Sequence, residues 1–158
     1  MPDFREITAS DDKAIAALIR NSLKKHGLDI PGTVYFDKEL DHLSEYYGKN
    51  GRKYFVIEND SGRVVGGIGF APFDGIKDAA ELQKLYLEDS AQGAGLGYEM
   101  IRFIENEMIK TGFKVSYLET HDNLKAAVHI YIKSGYTETD RPNSVVHSTM
   151  NRFFTKKL

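Results

Sequence analysis

Gln92-Gly93-Ala94-Gly95-Leu96-Gly97 sets a glycine at every second position between an apolar run and a helical one. The run before it, Ala80-Glu-Leu-Gln-Lys-Leu-Tyr-Leu87, reads as a strand whose odd-even alternation breaks near Leu85–Leu87, as it would at a bulge. After it Met100, Ile101, Ile104, Met108 and Ile109 recur at helical spacing, and Gly112 closes that helix. Lys114–Thr120 is again strand-like, so Leu82–Leu118 forms a strand–helix–strand crossover. A helix that starts on such a turn leaves backbone N–H groups unpartnered, and its dipole favours negative charge. Glycines let an anion approach that backbone, although by themselves they could simply form a tight strand-to-helix turn. Two phosphate-binding patterns are missed. Tyr98 stands where a dinucleotide fingerprint needs its third glycine, and no Gly-Lys-Ser/Thr follows as in a nucleoside-triphosphate loop.

The flanks alternate helices and strands. Phe4–Ile7 is a short strand, and Thr8, Ser10 and Asp11 suit the start of a helix carrying Ile15, Leu18, Ile19 and Leu23, which Gly27 stops. Pro31-Gly32 marks Leu28–Phe36 as a loop, and Leu40, Leu43 and Tyr47 predict a second helix over Asp37–Tyr47. Lys53–Glu58 and Arg63–Ala71, joined by Asn59-Asp-Ser-Gly62, read as an antiparallel hairpin. Gly66, Gly67 and Gly69 in its second strand point to a bulge or a close neighbour. A helix capped by Asn123 carries Ala126, Ala127, Ile130 and Tyr131 and stops at Gly135. Tyr136–Thr139 and His147–Phe154 predict two final strands. The class is mixed α/β, and the 158 residues are expected to form one domain, 1–158.

Composition narrows the function classes. Lys and Arg total 21 against 23 Asp and Glu, a net charge of −2, which offers no footprint for gripping a nucleic-acid backbone. The chain has no Cys, which rules out a disulfide scaffold, a thiolate metal site and a cysteine nucleophile. His121 and His129 lack the Glu-x-x-His context of a metal site, so no metal is expected. No apolar run approaches the ~18–20 residues of a membrane span, and Met-Pro-Asp-Phe-Arg-Glu does not resemble a signal peptide. A cytoplasmic protein without membrane contact is expected.

Gln92-x-x-Gly95-x-Gly97 resembles the acyl-CoA-binding signature of the GNAT superfamily of N-acetyltransferases, Gln/Arg-x-x-Gly-x-Gly/Ala. The strand Ala80–Leu87 is similar to the family's central strand, and Asn123-x-x-Ala126-x-x-x-x-Tyr131-x-x-x-Gly135-Tyr136 is similar to its "Asn…Ala…Tyr-Glu-Lys-x-Gly-Phe" segment, with Tyr136 in place of Phe. The segments come in the family's order, and the similarity runs from Phe4 to Leu158. The resemblance implies a twisted, mixed sheet of six to seven strands flanked by about four helices. It also implies an acetyl group moved from acetyl-CoA to a primary amine by direct attack in a ternary complex, with Ala80–Leu87 and Lys114–Thr120 splaying apart around the cofactor. Either a homodimer, with Phe153-Phe154 at an edge, or a monomer is allowed.

The implied roles fall residue by residue. The backbone of Gln92, Gly93, Ala94, Gly95, Leu96 and Gly97 would hold the pyrophosphate. Leu85, Tyr86 and Leu87 would pair with the pantetheine arm, and a strand N–H near Leu87 would polarise the thioester carbonyl. Asn123 would lie near that arm, or serve only as a helix cap. Tyr131 would protonate the departing thiolate, its phenol with a usual pKa near ~10 being a donor at neutral pH, or else be a core tyrosine. Glu81 is the first candidate for the base that deprotonates the amine, with Glu119 and His121 in reserve. Pro31–Tyr47 would border the acceptor. Two rival functions are a non-catalytic acyl-CoA sensor on the same scaffold and a nucleotide-binding protein that uses the glycine turn.

Overall fold

The computed structural model describes residues 3–158. Among them one seven-stranded sheet runs in the order β1-β2-β3-β4-β5-β7-β6. Its strands are β1 (Asp3–Glu6), β2 (Lys53–Glu58), β3 (Val64–Phe73), β4 (Ala79–Leu87), β5 (Val115–Thr120), β6 (Thr137–Thr139) and β7 (Arg152–Lys157). The helices are α1 (Asp12–Lys25), the short α2 (Leu43–Tyr46), α3 (Leu96–Thr111) and α4 (Lys125–Lys133). Every neighbouring pair in the sheet is antiparallel except β4–β5, which α3 joins as a parallel crossover. No helix among the described residues is long and apolar enough to cross a membrane.

Apolar spacing explains which faces meet. Ile15, Ile19 and Leu23 repeat every four residues, and α1 buries them with Tyr54 and Val56 on one face of the sheet. Met100, Ile101, Ile104 and Met108 of α3 bury against Ile57, Ile68, Phe70 and Leu82 on the other face, where α4 adds Val128 and Tyr131. The entry to α1 is fixed by Asp11, whose carboxylate accepts from the Thr8 N–H at 2.8 Å and is gripped by both terminal nitrogens of Arg5 at 2.8 and 2.9 Å.

Three predicted elements are corrected. Asp37–Tyr47 is not one α-helix but a 3-10 stretch over Lys38–His42 followed by α2. Leu40 is fully buried from the first and Leu43 from the second, and the start of α2 is set from outside by Asp12, whose carboxylate accepts from the Ser44 N–H at 2.9 Å. The last strand starts at Arg152 rather than His147, because the chain before it is committed elsewhere. The Thr149 N–H donates to Gly32 O at 3.1 Å, the Thr149 hydroxyl to Pro31 O at 2.7 Å, and His147 pairs with Asp37. Asn123 does not cap α4. That helix begins at Lys125 with no side-chain cap, and the Asn123 side chain instead donates to the His26 carbonyl at 2.9 Å, tying α4's approach to the end of α1.

The irregularity expected in β4 lies one residue earlier than its sequence suggested. Gly67 pairs with Tyr86 and Gly69 with Gln83, so Lys84 and Leu85 both stand opposite Ile68. Lys84 takes a left-handed φ of 52°, and its displaced carbonyl accepts a hydrogen bond from the Tyr54 hydroxyl at 2.8 Å. Tyr54 reaches it from β2 by crossing the face of β3. A Cβ on Gly67 or Gly69 would stand 2.5 Å from the Tyr54 ring, so these two glycines are the groove in which the ring lies.

Candidate active site

Parallel pairing between β4 and β5 lasts for three residues, Ala79, Ala80 and Glu81 against Val115, Ser116 and Tyr117. Beyond Glu81 the strands part, and a cavity of about 720 Å³ opens between them. Leu85, Tyr86 and Leu87 line one wall, Thr120, Leu124 and Tyr131 another, and the glycine turn closes the end. Along the open edge of β4 the backbone has lost its partner strand, as binding an extended ligand requires.

The turn leaves backbone donors unpaired. The Gln92 amide donates to Leu87 O at 2.9 Å and to Asp89 Oδ1 at 3.3 Å, pinning the turn to the end of β4. Gly95 is the residue before α3, with φ of 78° and no capping side chain. The amides of Leu96, Gly97 and Tyr98 find no protein acceptor among the described residues. A Cβ on Gly93 or Gly95 would meet nothing within 4 Å, so no other part of the protein packs against the turn at those two positions. Gly97 differs. Its Cβ would stand 2.9 Å from Ile130 Cδ1, so it is small for the sake of α3–α4 packing rather than for a ligand. Gln92, Gly93, Gly95, Leu96 and Gly97 line the cavity, and Ala94 does not.

Where the strands part, a second cavity of about 540 Å³ joins the first, and the two share Glu81, Gln83, Lys84, Glu119 and His147. Glu81 accepts from Gln83 Nε2 at 3.0 Å, and the other end of that amide accepts from the Tyr47 hydroxyl at 2.6 Å. Tyr47 therefore sets which way the amide faces, and the amide holds the carboxyl. Burial, reinforced by the nearby Glu119, pushes the Glu81 carboxyl up to about 7. Burial also raises Glu119, which accepts from the Tyr117 hydroxyl at 3.0 Å. Asp37 pairs with His147 Nε2 at 2.9 Å and with Lys84 Nζ at 3.7 Å. Its hydrogen bond raises the His147 pKa, while burial lowers that of Lys84.

Tyr131 belongs to both the core and the cavity. Its ring packs edge-on to Tyr136 with centroids 6.0 Å apart, and its hydroxyl has no protein partner among the described residues. Burial pushes its pKa well above the ordinary phenol value, so it stays protonated. The structure thus brings together Glu81, Glu119, Tyr131 and the β4 edge. Asn123 and His121 line neither cavity, and the His121 Nδ1 accepts from the Asn123 N–H at 3.0 Å. Gln83, Lys84 and His147 were not singled out as site residues by sequence reasoning. Only the Pro31–Tyr47 segment pointed this way, and it supplies Phe36, Asp37 and Tyr46 to the second cavity.

Comparison with known proteins agrees with this geometry. Residues 20–136 match the family model described as the acetyltransferase (GNAT) family. The chain is 37% identical over 141 residues to the uncharacterized N-acetyltransferase YjgM of Escherichia coli (strain K12), covering 88% of this chain and 84% of that protein. An acetyltransferase of the GNAT family from Staphylococcus aureus Mu50 superposes with a TM-score of 0.89 at 19% identity, over 100% of this chain and 99% of the other. The spermidine N-acetyltransferase of Vibrio cholerae, solved with CoA and spermine, superposes with a TM-score of 0.72 at 19% identity, over 99% and 95% of the two chains.

Proposed function

The chain belongs to the GNAT family of acetyltransferases, and from that premise we propose that it is one catalytic domain that acetylates a primary amine with acetyl-CoA. The observation that carries this reading is the parting of β4 and β5 after three paired residues, directly in front of an uncapped α3 whose turn leaves room for a diphosphate. The free amides of Leu96, Gly97 and Tyr98 would hold the diphosphate, and the unpaired edge of Leu85–Leu87 the pantetheine arm. When bound, acetyl-CoA supplies an acetyl thioester.

The protein's own groups then divide the proton work. An alkylammonium with a usual pKa near ~10 cannot attack until it loses a proton, and Glu81, poised about 7, is matched to take it near neutral pH. Gln83, itself oriented by Tyr47, keeps the Glu81 carboxyl aimed into the shared cavity. Tyr131, held protonated by burial and lining the larger cavity, gives a proton to the leaving sulfur. The balance is complete: the ammonium gives one proton to Glu81, one N–C bond forms and the C–S bond breaks, Tyr131 gives a proton to the sulfur, and the second proton lost by the nitrogen as the adduct collapses restores the Tyr131 phenol. With no Cys in the chain, no cysteine-bound acyl enzyme is invoked.

Thermal unfolding with acetyl-CoA, followed by an amine screen with thiol-release detection, tests this. A ligand at 100 times its dissociation constant stabilises by about 2.7 kcal/mol, a rise in Tm of several degrees. Tyr131→Phe should retain that rise while kcat drops on the order of a hundredfold or more. No stabilisation of the wild type by acetyl-CoA or CoA would end the reading.

A further inference from the structure

The second cavity has a feature that amine transfer alone does not require. Arg52 lines it with its guanidinium 4.1 Å above the Tyr46 ring and one weak bond, 3.3 Å, to the Tyr46 carbonyl. Among the described residues no carboxylate pairs with it. The other basic side chains enclosed in this cavity, the buried Lys84 and His147, both pair with Asp37. A guanidinium has five donors in a planar fork, so Arg52 keeps most of its capacity free toward the cavity.

Its place on the sheet is equally specific. β2 pairs Lys53 with Phe70, and β3 pairs Ala71 with Glu81. One residue before β2, Arg52 falls in line with Ala71 and Glu81. The chain stays close there, since a Cβ on Gly51 would stand 3.0 Å from the Pro72 side chain. All three of Arg52, Ala71 and Glu81 line the same cavity. A free cation and a proton-accepting carboxyl thus stand two strands apart, roughly 10 Å between backbones, with only a methyl group between them. At the mouth two apolar side chains face solvent, Phe36 at 59% and Val146 at 84% exposure.

We propose that the acceptor is a free α-amino acid with an apolar side chain. Its carboxylate is received by the Arg52 fork, its amine lies at Glu81, and its side chain points toward Phe36 and Val146. This rests on the acetyl-transfer reading and uses the same balance, with the bond forming at the α-nitrogen. A polyamine would find Glu39 and Asp74 near the mouth, but it would have to lie beside an unneutralised guanidinium.

The test measures thiol release from acetyl-CoA with L-leucine, L-leucinamide and spermidine, for wild type, Arg52→Gln and Arg52→Lys. Expected is turnover of leucine, and a ratio of kcat/KM for leucine over leucinamide that falls roughly ten- to hundredfold in Arg52→Gln, carried by KM. Arg52→Lys should retain part of the ratio, and the thermal shift with acetyl-CoA should stay unchanged in both variants. An unchanged ratio, turnover of spermidine but not leucine, or no turnover of any of the three despite bound acetyl-CoA would each overturn the amino-acid assignment. Loss of acetyl-CoA binding by the wild type would instead overturn the acetyl-transfer reading beneath it. The wild-type comparison stands even where a variant fails to fold.

Discussion

The Tyr54 hydroxyl and the Lys84 carbonyl, on strands separated by β3, are joined by a 2.8 Å hydrogen bond that runs over Gly67 and Gly69. A bulge leaves a carbonyl outside the ladder, and burying it without a donor costs about 1–3 kcal/mol. One tyrosine removes that cost and fixes the bulge in the part of β4 that has already left β5. Tyr54→Phe is therefore expected to lower stability by about 1–3 kcal/mol in denaturant titration. It should also raise KM for acetyl-CoA, although Tyr54 does not line the larger cavity.

The same groove sets a contrast among glycines. Gly69→Ala places a methyl 2.6 Å from the Lys53 carbonyl as well as against the Tyr54 ring, and backbone cannot step aside, so a loss of about 2 kcal/mol or more is expected. Gly97→Ala meets only the end of the Ile130 side chain and sits in a helix, where alanine gains about 1 kcal/mol over glycine. Its net effect on Tm should be small. Equal losses at the two positions would mean that the groove is not what requires glycine.

Glu81 carries a pH dependence with a definite sign. Its folded carboxyl holds a proton up to about 7, whereas the unfolded chain releases it near ~4.3. Between those values folding takes up a proton, so this group's contribution to stability falls as pH rises and the full cost is present above 7. Glu81→Gln should be more stable than wild type at pH 8, by roughly 1–3 kcal/mol, with the gap closing toward pH 5. The acid limb of kcat/KM, falling below about pH 7 in the wild type, should disappear in the variant along with most of the rate. A gap that widens toward acid pH would refute the assignment.

What could be read in the sequence was local. A glycine turn between a strand and a helix carries its own physics, so α3, its start and the β4–α3–β5 crossover follow from spacing alone. The glycines of β3 announced a close neighbour but could not name Tyr54, because register decides which side chain lies over them. Asp37 and His147 are 110 positions apart, and no pattern in either segment predicts their contact. Asn123 misled for a related reason: the preference of Asn for helix starts is intrinsic, while the His26 carbonyl that captures it is supplied by α1.

The short β4–β5 ladder also gives the unliganded molecule a kinetic signature. Past Glu81, amides of β4 that point toward β3 remain in a ladder, while those that point the other way open onto the cavity. Deuterium should therefore enter Leu82–Leu87 unevenly, favouring positions on the cavity side, and the unevenness should fade once an extended ligand fills the gap. A single strand would record on one edge the permanence of the sheet and on the other the occupancy of the site.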